Sequence, residues 1–192
     1  MLTFKKIMPD SSEVSAFNQL YEKSFPAEER VPFKYLLNKI KQNKGNLLGL
    51  YDKETIVGMM YYIERADLVY LFYFAIDDAI QSRGYGKEAL KFFTNQFKDK
   101  KIALVIEELN EQATNIEQRY RRLRFYERQG FCQTGEEITE MGETYALMRF
   151  KNNHPIKKEY VHLMQYFWSL PIYYFFEGYN KVLLWRKKSL VQ

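Results

Sequence analysis

The segment QSRGYG, residues 81–86, lies between an apolar run and the helix-like stretch KEALKFF. A turn that opens a helix presents unpaired backbone N–H groups and the positive end of the helix dipole. Gly84 and Gly86 let the backbone approach an anion without a Cβ in the way, and Gln81 and Arg83 can add side-chain donors. The segment is therefore a candidate phosphate site, although two glycines fit an ordinary connection equally well.

Two common phosphate-binding patterns do not match this turn. The dinucleotide fingerprint needs three glycines in a GxGxxG spacing, and the nucleoside-triphosphate loop needs a GK[ST] ending. The sequence continues with Gly86, Lys87 and Glu88, which supplies neither pattern.

A second segment with chemical potential is RRLRFYERQGF, residues 121–131. Arg119, Arg122 and Tyr126 follow one another at steps of three and four, which places them on one helical face. A phenol whose pKa has its ordinary value of about 10 is protonated at neutral pH and can donate a proton. The alternatives without a chemical role are a tyrosine that packs beside Leu123 and arginines that form a solvated face of the helix.

Apolar residues at helical spacing predict the helices that would position these segments. The first has Ser11 or Ser12 as its N-cap, and the last ends at Gly130 as a C-cap. The predicted helices cover residues 11–25, a stretch around 33–40, a stretch after the glycine turn, and residues 115–129.

Runs of β-forming residues predict the strands. They comprise a hairpin over 46–51 and 55–63, a central strand at 69–76, a further strand at 102–106, and an antiparallel pair at 131–134 and 144–150. The central strand and the strand at 102–106 flank a helix and should be parallel. The order of elements predicts an α/β domain, of the α+β type with a mixed sheet.

Composition narrows the classes of function. The chain has 192 residues and 46% hydrophobic content, enough for one domain with a full core. A single cysteine, Cys132, excludes an internal disulfide and fits a cytoplasmic protein, and with two histidines a metal site is not expected. No signal peptide or membrane span is indicated. The net charge of +5 favours an anionic small ligand or a polyanion as partner.

The pattern Q-x-x-G-x-G after an apolar strand resembles the acyl-CoA motif of the GNAT superfamily of acyl-CoA-dependent N-acetyltransferases, bacterial type. Residues 69–93, VYLFYFAIDDAIQSRGYGKEALKFF, carry this motif, and RRLRFYERQGF resembles the second motif of the family. The resemblance covers about residues 1–150, and SFPAEERVPF, residues 24–33, resembles the link that borders the acceptor site in one subgroup. It implies a GNAT-like fold with splayed central parallel strands.

The resemblance also implies acetyl-CoA as the co-substrate. The glycine turn would hold the pyrophosphate of coenzyme A, and the central strand would pair with the pantetheine arm. The residues that it assigns to cofactor binding are Phe74, Ala75, Ile76, Gln81, Arg83, Gly84, Tyr85, Gly86, Lys87 and Arg122.

For catalysis, the resemblance implies that Tyr126 protonates the departing thiolate. Many family members place a glutamate base near the start of the central strand, but Tyr70 stands there in this chain. Glu107 is the base that we select, with Glu108, Glu28 and Glu29 as alternatives, and Glu28 and Glu29 are also expected to bind the acceptor. An amine that binds already neutral would need no base.

The predicted function is transfer of an acetyl group to a primary amine of a small molecule or peptide. Acidic residues in 24–35 and 135–144, including Glu136 and Glu140, favour a cationic amine. The alternatives are a catalytically silent acyl-CoA-binding module with a protein-interaction tail and, third, a nucleic-acid-binding domain, for which no recognition motif appears.

The tail, from about residue 151 onwards, is rich in aromatic residues. Ten aromatic residues lie between Tyr160 and Trp185, a density that requires cover from water. We predict an acetyltransferase domain over 1–150 and an extension over 151–192. The extension either packs on the domain or forms a surface for a partner, including a homodimer.

Overall fold

The computed structural model describes residues 2–80, 83–140, 143–175 and 178–180, and all of their side chains except that of Glu28. Within these ranges the strands are β1 (Thr3–Ile7), β2 (Asn46–Asp52), β3 (Thr55–Arg65), β4 (Leu68–Ile76), β5 (Lys101–Glu107), β6 (Phe131–Glu140) and β7 (Glu143–Phe150). The α-helices are α1 (Val14–Ser24), α2 (Phe33–Lys41), α3 (Tyr85–Gln96), α4 (Ile116–Arg128) and α5 (Lys157–Trp168). Short 3-10 helices cover Ala27–Glu29 and Asp78–Ile80.

The strands form a mixed seven-stranded sheet in the order β1-β2-β3-β4-β5-β7-β6. The predicted α/β fold with a mixed sheet is therefore confirmed. The chain divides into two compact units, Met1–Ile102 and Ala103–Gln192.

In the first unit, β1 to β4 are neighbours in an antiparallel ladder that contains the predicted hairpin. Two adjacent tyrosines of β3 show how helices cover both faces, because successive side chains of a strand point in opposite directions. The Tyr61 hydroxyl donates to the Leu36 carbonyl of α2 at 3.0 Å. The Tyr62 ring packs against Phe93 of α3, with ring centroids 5.4 Å apart. Both tyrosines are consequently buried.

Two features at the N-terminus differ from the predictions. Strand β1 was not predicted, since a five-residue edge strand that contains Lys5 and Lys6 lacks a clear apolar alternation. Helix α1 begins at Val14 after Glu13, two to three residues later than a start directly after Ser11 or Ser12. The Ser11 hydroxyl accepts the N–H of Glu13 at 3.2 Å in the turn that leads into the helix.

In the second unit, β7 pairs antiparallel with both β5 and β6. Strand β6 runs to Glu140, six residues beyond the predicted end. The prediction was too short because a shift in register and the left-handed residue Gly135 (φ 75°) interrupt the strand pattern. Helix α5 buries Leu163 and Phe167, and it contacts β6. None of the described helices is long and apolar enough to cross a bilayer.

Candidate functional site

The glycine turn leads directly into helix α3. Gly84 precedes the first helical residue and has a φ of 83°, a left-handed conformation that favours glycine. A Cβ built at Gly84 would meet nothing within 4 Å, so the backbone conformation and not the lack of space calls for glycine. Arg83 and Lys87 are exposed beside it, whereas Gln81 lies outside the described residues. The turn thus presents a helix N-terminus and two cations to solvent.

The three residues assigned to the pantetheine arm lie at the end of β4. Phe74, Ala75 and Ile76 are in register with Met60, Met59 and Gly58 of β3. Before these residues, the register between β3 and β4 shifts, so that Phe72 is an extra residue of β4 without a partner position in β3. The three residues accordingly lie in the part of β4 that follows a β-bulge and pairs with β3.

Two tyrosines fix the link that contains Glu28 and Glu29, the glutamates predicted to bind the acceptor. The Tyr73 hydroxyl donates to the Glu29 carbonyl at 2.9 Å and accepts the Val31 N–H at 3.1 Å. The Tyr21 hydroxyl donates to the Val31 carbonyl at 3.0 Å. Neither Tyr21 nor Tyr73 was identified from the sequence as a residue that fixes this link. The sequence signal that could have found them is a tyrosine, where a phenylalanine would suffice, in a buried apolar stripe, because a buried hydroxyl needs a hydrogen-bond partner.

Tyr126, the candidate acid, is buried in the second unit. Its ring packs edge-on against Phe131 of β6, with centroids 5.8 Å apart. Burial raises the pKa of Tyr126 to about 12, while Arg122 acts to lower this pKa and Glu107 to raise it. The phenol therefore retains its proton well above neutral pH.

Glu107 and Arg122, predicted as base and cofactor ligand, are brought together as an ion pair. The Glu107 side chain is 7% exposed and accepts a hydrogen bond from the Arg122 guanidinium, whose side chain is 42% exposed. On the same helix, the Arg119 side chain donates to the Glu108 carbonyl at 2.6 Å and to the Asn115 side chain at 2.9 Å. These two arginines thus tie α4 to the end of β5 and the segment after it.

Two of the acidic residues near the tail are engaged inside the protein. The Glu136 carboxylate accepts the backbone N–H groups of Ile156 and Lys157 at 2.6 and 2.8 Å, at the start of α5. The Tyr160 hydroxyl donates to Glu140, and burial raises the pKa of that carboxyl. Both carboxylates therefore also bind residues of the extension.

In the part of the chain that is described, no three His, Cys, Asp or Glu side chains are grouped in a way that could hold a metal ion.

Comparison with known proteins was made at the levels of family, sequence and structure. At the level of family, the sequence pattern that defines the acetyltransferase (GNAT) family matches residues 14–131 of the chain. No curated protein sequence matches the chain.

Several solved structures share the fold. A Bacteroides thetaiotaomicron protein assigned to the GNAT family of acetyltransferases is 22% identical, with a TM-score of 0.73 over 88% of this chain and 98% of that one. An aminoglycoside 6′-N-acetyltransferase complexed with coenzyme A is 11% identical, with a TM-score of 0.60 over 80% and 99%. The ribosomal-protein-S18-alanine N-acetyltransferase from Escherichia coli is 15% identical, with a TM-score of 0.58 over 78% and 93%. At these identities the likeness is one of fold.

Proposed function

The chain belongs to the acetyltransferase (GNAT) family, and from this we propose that it transfers an acetyl group from acetyl-CoA to a primary amine. The observation that carries the proposal is the left-handed Gly84 turn, which opens α3 with exposed cations at the position of the family's acyl-CoA motif. Coenzyme A in the related aminoglycoside enzyme supports the same co-substrate.

The turn fits a pyrophosphate chemically. Its backbone N–H groups from Arg83 to Gly86, together with Gln81 and Lys87, would hold the two phosphates, and Tyr85 belongs to the same helical turn. The open space beside Gly84 leaves room for the anion. Phe74, Ala75 and Ile76 would hold the pantetheine arm. Arg122 has further N–H donors beyond its bond to Glu107, and these are available to the cofactor.

Acetyl-CoA supplies a thioester, whose carbonyl carbon the amine nitrogen would attack to give a tetrahedral intermediate, from which the carbon–sulfur bond then breaks. A backbone N–H at Phe74 or Ala75 would stabilise the negative charge that develops on the carbonyl oxygen. Tyr126 holds a proton at its hydroxyl oxygen and would give it to the departing sulfur. Its raised pKa is compatible with this role, because the acid must be protonated when the bond breaks.

The amine must lose a proton during the reaction. Glu107 is our candidate to accept it, directly or through water, and Glu108 is the alternative. The pairing of Glu107 with Arg122 places a carboxylate and its cation near Tyr126, since both influence the pKa of that phenol. An acid and a base in one unit would serve both proton transfers.

For the acceptor, we propose a cationic amine held by Glu28 and Glu29. The Tyr73 bond to the Glu29 carbonyl supports this, because it fixes the backbone of the link at Glu29. The names of the related enzymes span an aminoglycoside and a protein N-terminal alanine, so the fold accommodates acceptors of very different size.

A second candidate function is an acyl-CoA-binding module whose extension over 151–192 engages a protein, including a second copy of the chain. It is favoured by exposed apolar side chains near the end of the described chain. They are Leu170, Ile172, Tyr174, Phe175 and Tyr179.

The two functions are separated by one set of measurements. Calorimetry with coenzyme A tests cofactor binding, and release of free thiol from acetyl-CoA over a panel of amines tests turnover. We expect binding together with amine-dependent thiol release. Binding without turnover on any amine favours the second candidate, and absence of coenzyme A binding contradicts both.

A further inference from the structure

The first turn of α3 is tied to the β2–β3 hairpin by a side-chain hydrogen bond. Tyr85, the first residue of α3, donates through its hydroxyl to the Asp52 carboxylate at 2.5 Å. Asp52 is the last residue of β2 and is in register with Thr55 across the hairpin. The bond therefore connects the end of a rigid antiparallel ladder to the residue that follows Gly84.

Arg83, on the other side of Gly84, interacts with the same hydroxyl. The hydrogen bond to Asp52 raises the pKa of Tyr85, and the neighbouring Arg83 guanidinium acts to lower it. The phenol oxygen thus lies between a carboxylate and a guanidinium. It can accept from Arg83 while its own proton is donated to Asp52.

A second contact holds the same helical turn. The Glu88 carboxylate accepts the backbone N–H of Leu2 at 2.6 Å. Two points in the first turn of α3 are consequently attached, one to Leu2 directly before β1 and the other to the last residue of β2, although both are distant in sequence. Only the Asp52 contact reaches the side chain that Arg83 also touches.

Restraint matters at this turn because Arg83 and Gly84 are not packed inside the protein. Arg83 and Gly84 are exposed, and no atom lies within 4 Å of the position where a Gly84 Cβ would be. A binding site of backbone N–H groups loses affinity when the ligand must first order it.

We propose that Asp52 is a positioning residue of the cofactor site, which acts through the Tyr85 hydroxyl to hold the turn Arg83–Gly86 in its phosphate-binding form. Asp52 is not among the residues assigned to the cofactor. The inference rests on the proposed function, since it assumes that the turn binds the pyrophosphate of coenzyme A. Nothing in the sequence alone indicates this role, because Asp-Lys-Glu at 52–54 has the composition of an ordinary hairpin turn.

The test is a double-mutant cycle on the full chain with Asp52→Ala, Tyr85→Phe and the combined variant. Dissociation constants for coenzyme A and for dephospho-coenzyme A are measured by calorimetry, and melting temperatures are measured without ligand. Glu54→Ala, an exposed carboxylate in the same hairpin, is the matched control. Wild-type binding of coenzyme A is measured first, because its absence would refute the proposed function, whereas the present inference is decided by the variants.

We expect each single variant to raise the dissociation constant about fivefold, the effect of one lost hydrogen bond, and the double variant to be no worse than either single one. The loss should be equal for dephospho-coenzyme A, and the KM for acetyl-CoA should rise with kcat unchanged. Lower melting temperatures with unchanged affinities would show a structural tether only and overturn the inference. Additive losses, or losses absent with dephospho-coenzyme A, would also overturn it.

Discussion

The buried Glu107 carboxylate at the end of β5 accepts a hydrogen bond from the Arg122 guanidinium of α4. The finding joins two residues to which the sequence assigned separate roles. It also gives the arginine-rich helix a structural function in addition to any contact with the cofactor, because the bond attaches α4 to a strand of its own unit. Removing either partner should consequently affect stability as well as chemistry.

Replacement of Arg122 by alanine should destabilise the protein. It leaves the Glu107 carboxylate buried without its cation, and since Arg122 is partly exposed we expect a loss of about 2 kcal/mol in the free energy of unfolding. Urea unfolding measures this loss. Arg121→Ala, at an exposed position on the same helix, is the control and should have an effect below about 0.5 kcal/mol. Equal effects of the two variants would contradict a stabilising pair.

Tyr126→Phe should reduce kcat while coenzyme A binding is retained. The substitution removes the hydroxyl proton but keeps the ring that packs on Phe131, so we expect a loss of about 100-fold in kcat with little change in fold. Steady-state kinetics and calorimetry measure the two quantities. Tyr120→Phe, which removes a more exposed hydroxyl from the same helix, is the matched control. A rate equal to that of wild type would remove Tyr126 from the mechanism.

The raised pKa of Tyr126 makes a separate prediction for alkaline solutions. Burial favours the neutral phenol and moves its pKa from 10.0 to about 12. The stability that this group contributes is present below pH 10 and is lost as the pH rises towards 12. The acid should likewise stay protonated at pH 10. A tyrosinate absorbance titration of wild type minus Tyr126→Phe should show the missing group titrating near pH 12, and a difference that titrates at pH 10 would contradict burial of the phenol.

The sequence predicted the parts of the fold that depend on local periodicity. Leu90 and Phe93 of α3 are both buried as the stripe requires, and the two-sided apolar run of β4 lies within the sheet. Strand β6 was predicted too short, because Gly135 and the acidic residues after it have the composition of a loop. Their strand conformation depends on pairing with β7, which is a tertiary contact.

The candidate site shows the same limit. The Gly84 turn and Tyr126 were identified because their motifs are contiguous in sequence. The contacts that fix the site are not contiguous: Tyr73 lies 44 residues from Glu29, and Tyr85 lies 33 residues from Asp52. Hydrophobic spacing predicts that a tyrosine is buried, but it does not indicate which carbonyl or carboxylate will accept its hydroxyl proton.

Gly84→Ala should weaken cofactor binding through the backbone. A residue with a Cβ at φ 83° has about 1 kcal/mol of backbone strain. The Gly84→Ala variant can relieve this strain by moving the turn away from its binding conformation, so we expect the coenzyme A dissociation constant to rise about fivefold. Gly135→Ala is a matched control, because Gly135 has a φ of 75° and equally open space but lies in β6. It should lose similar stability and keep its affinity. Unchanged affinity in Gly84→Ala would mean that the turn is only a connection.

Glu136→Ala should destabilise the start of the extension. The Glu136 carboxylate accepts two backbone N–H groups where α5 begins, in the manner of an N-cap supplied from another element. Its removal leaves both donors without this partner, and we expect a loss of about 1–2 kcal/mol in the free energy of unfolding. Hydrogen exchange should show the loss of protection concentrated at Tyr160 and its neighbours in α5.

Glu137→Ala provides the control for that experiment, because Glu137 is exposed and is the next residue of the same strand. It removes the same charge without removing a helix cap, so its exchange pattern in α5 should match that of wild type. If both variants lost protection equally, the negative charge of β6 and not the two hydrogen bonds would stabilise α5. Because Glu136 contacts backbone N–H groups of α5 and is not among the residues assigned to the cofactor, its substitution should also leave coenzyme A affinity unchanged.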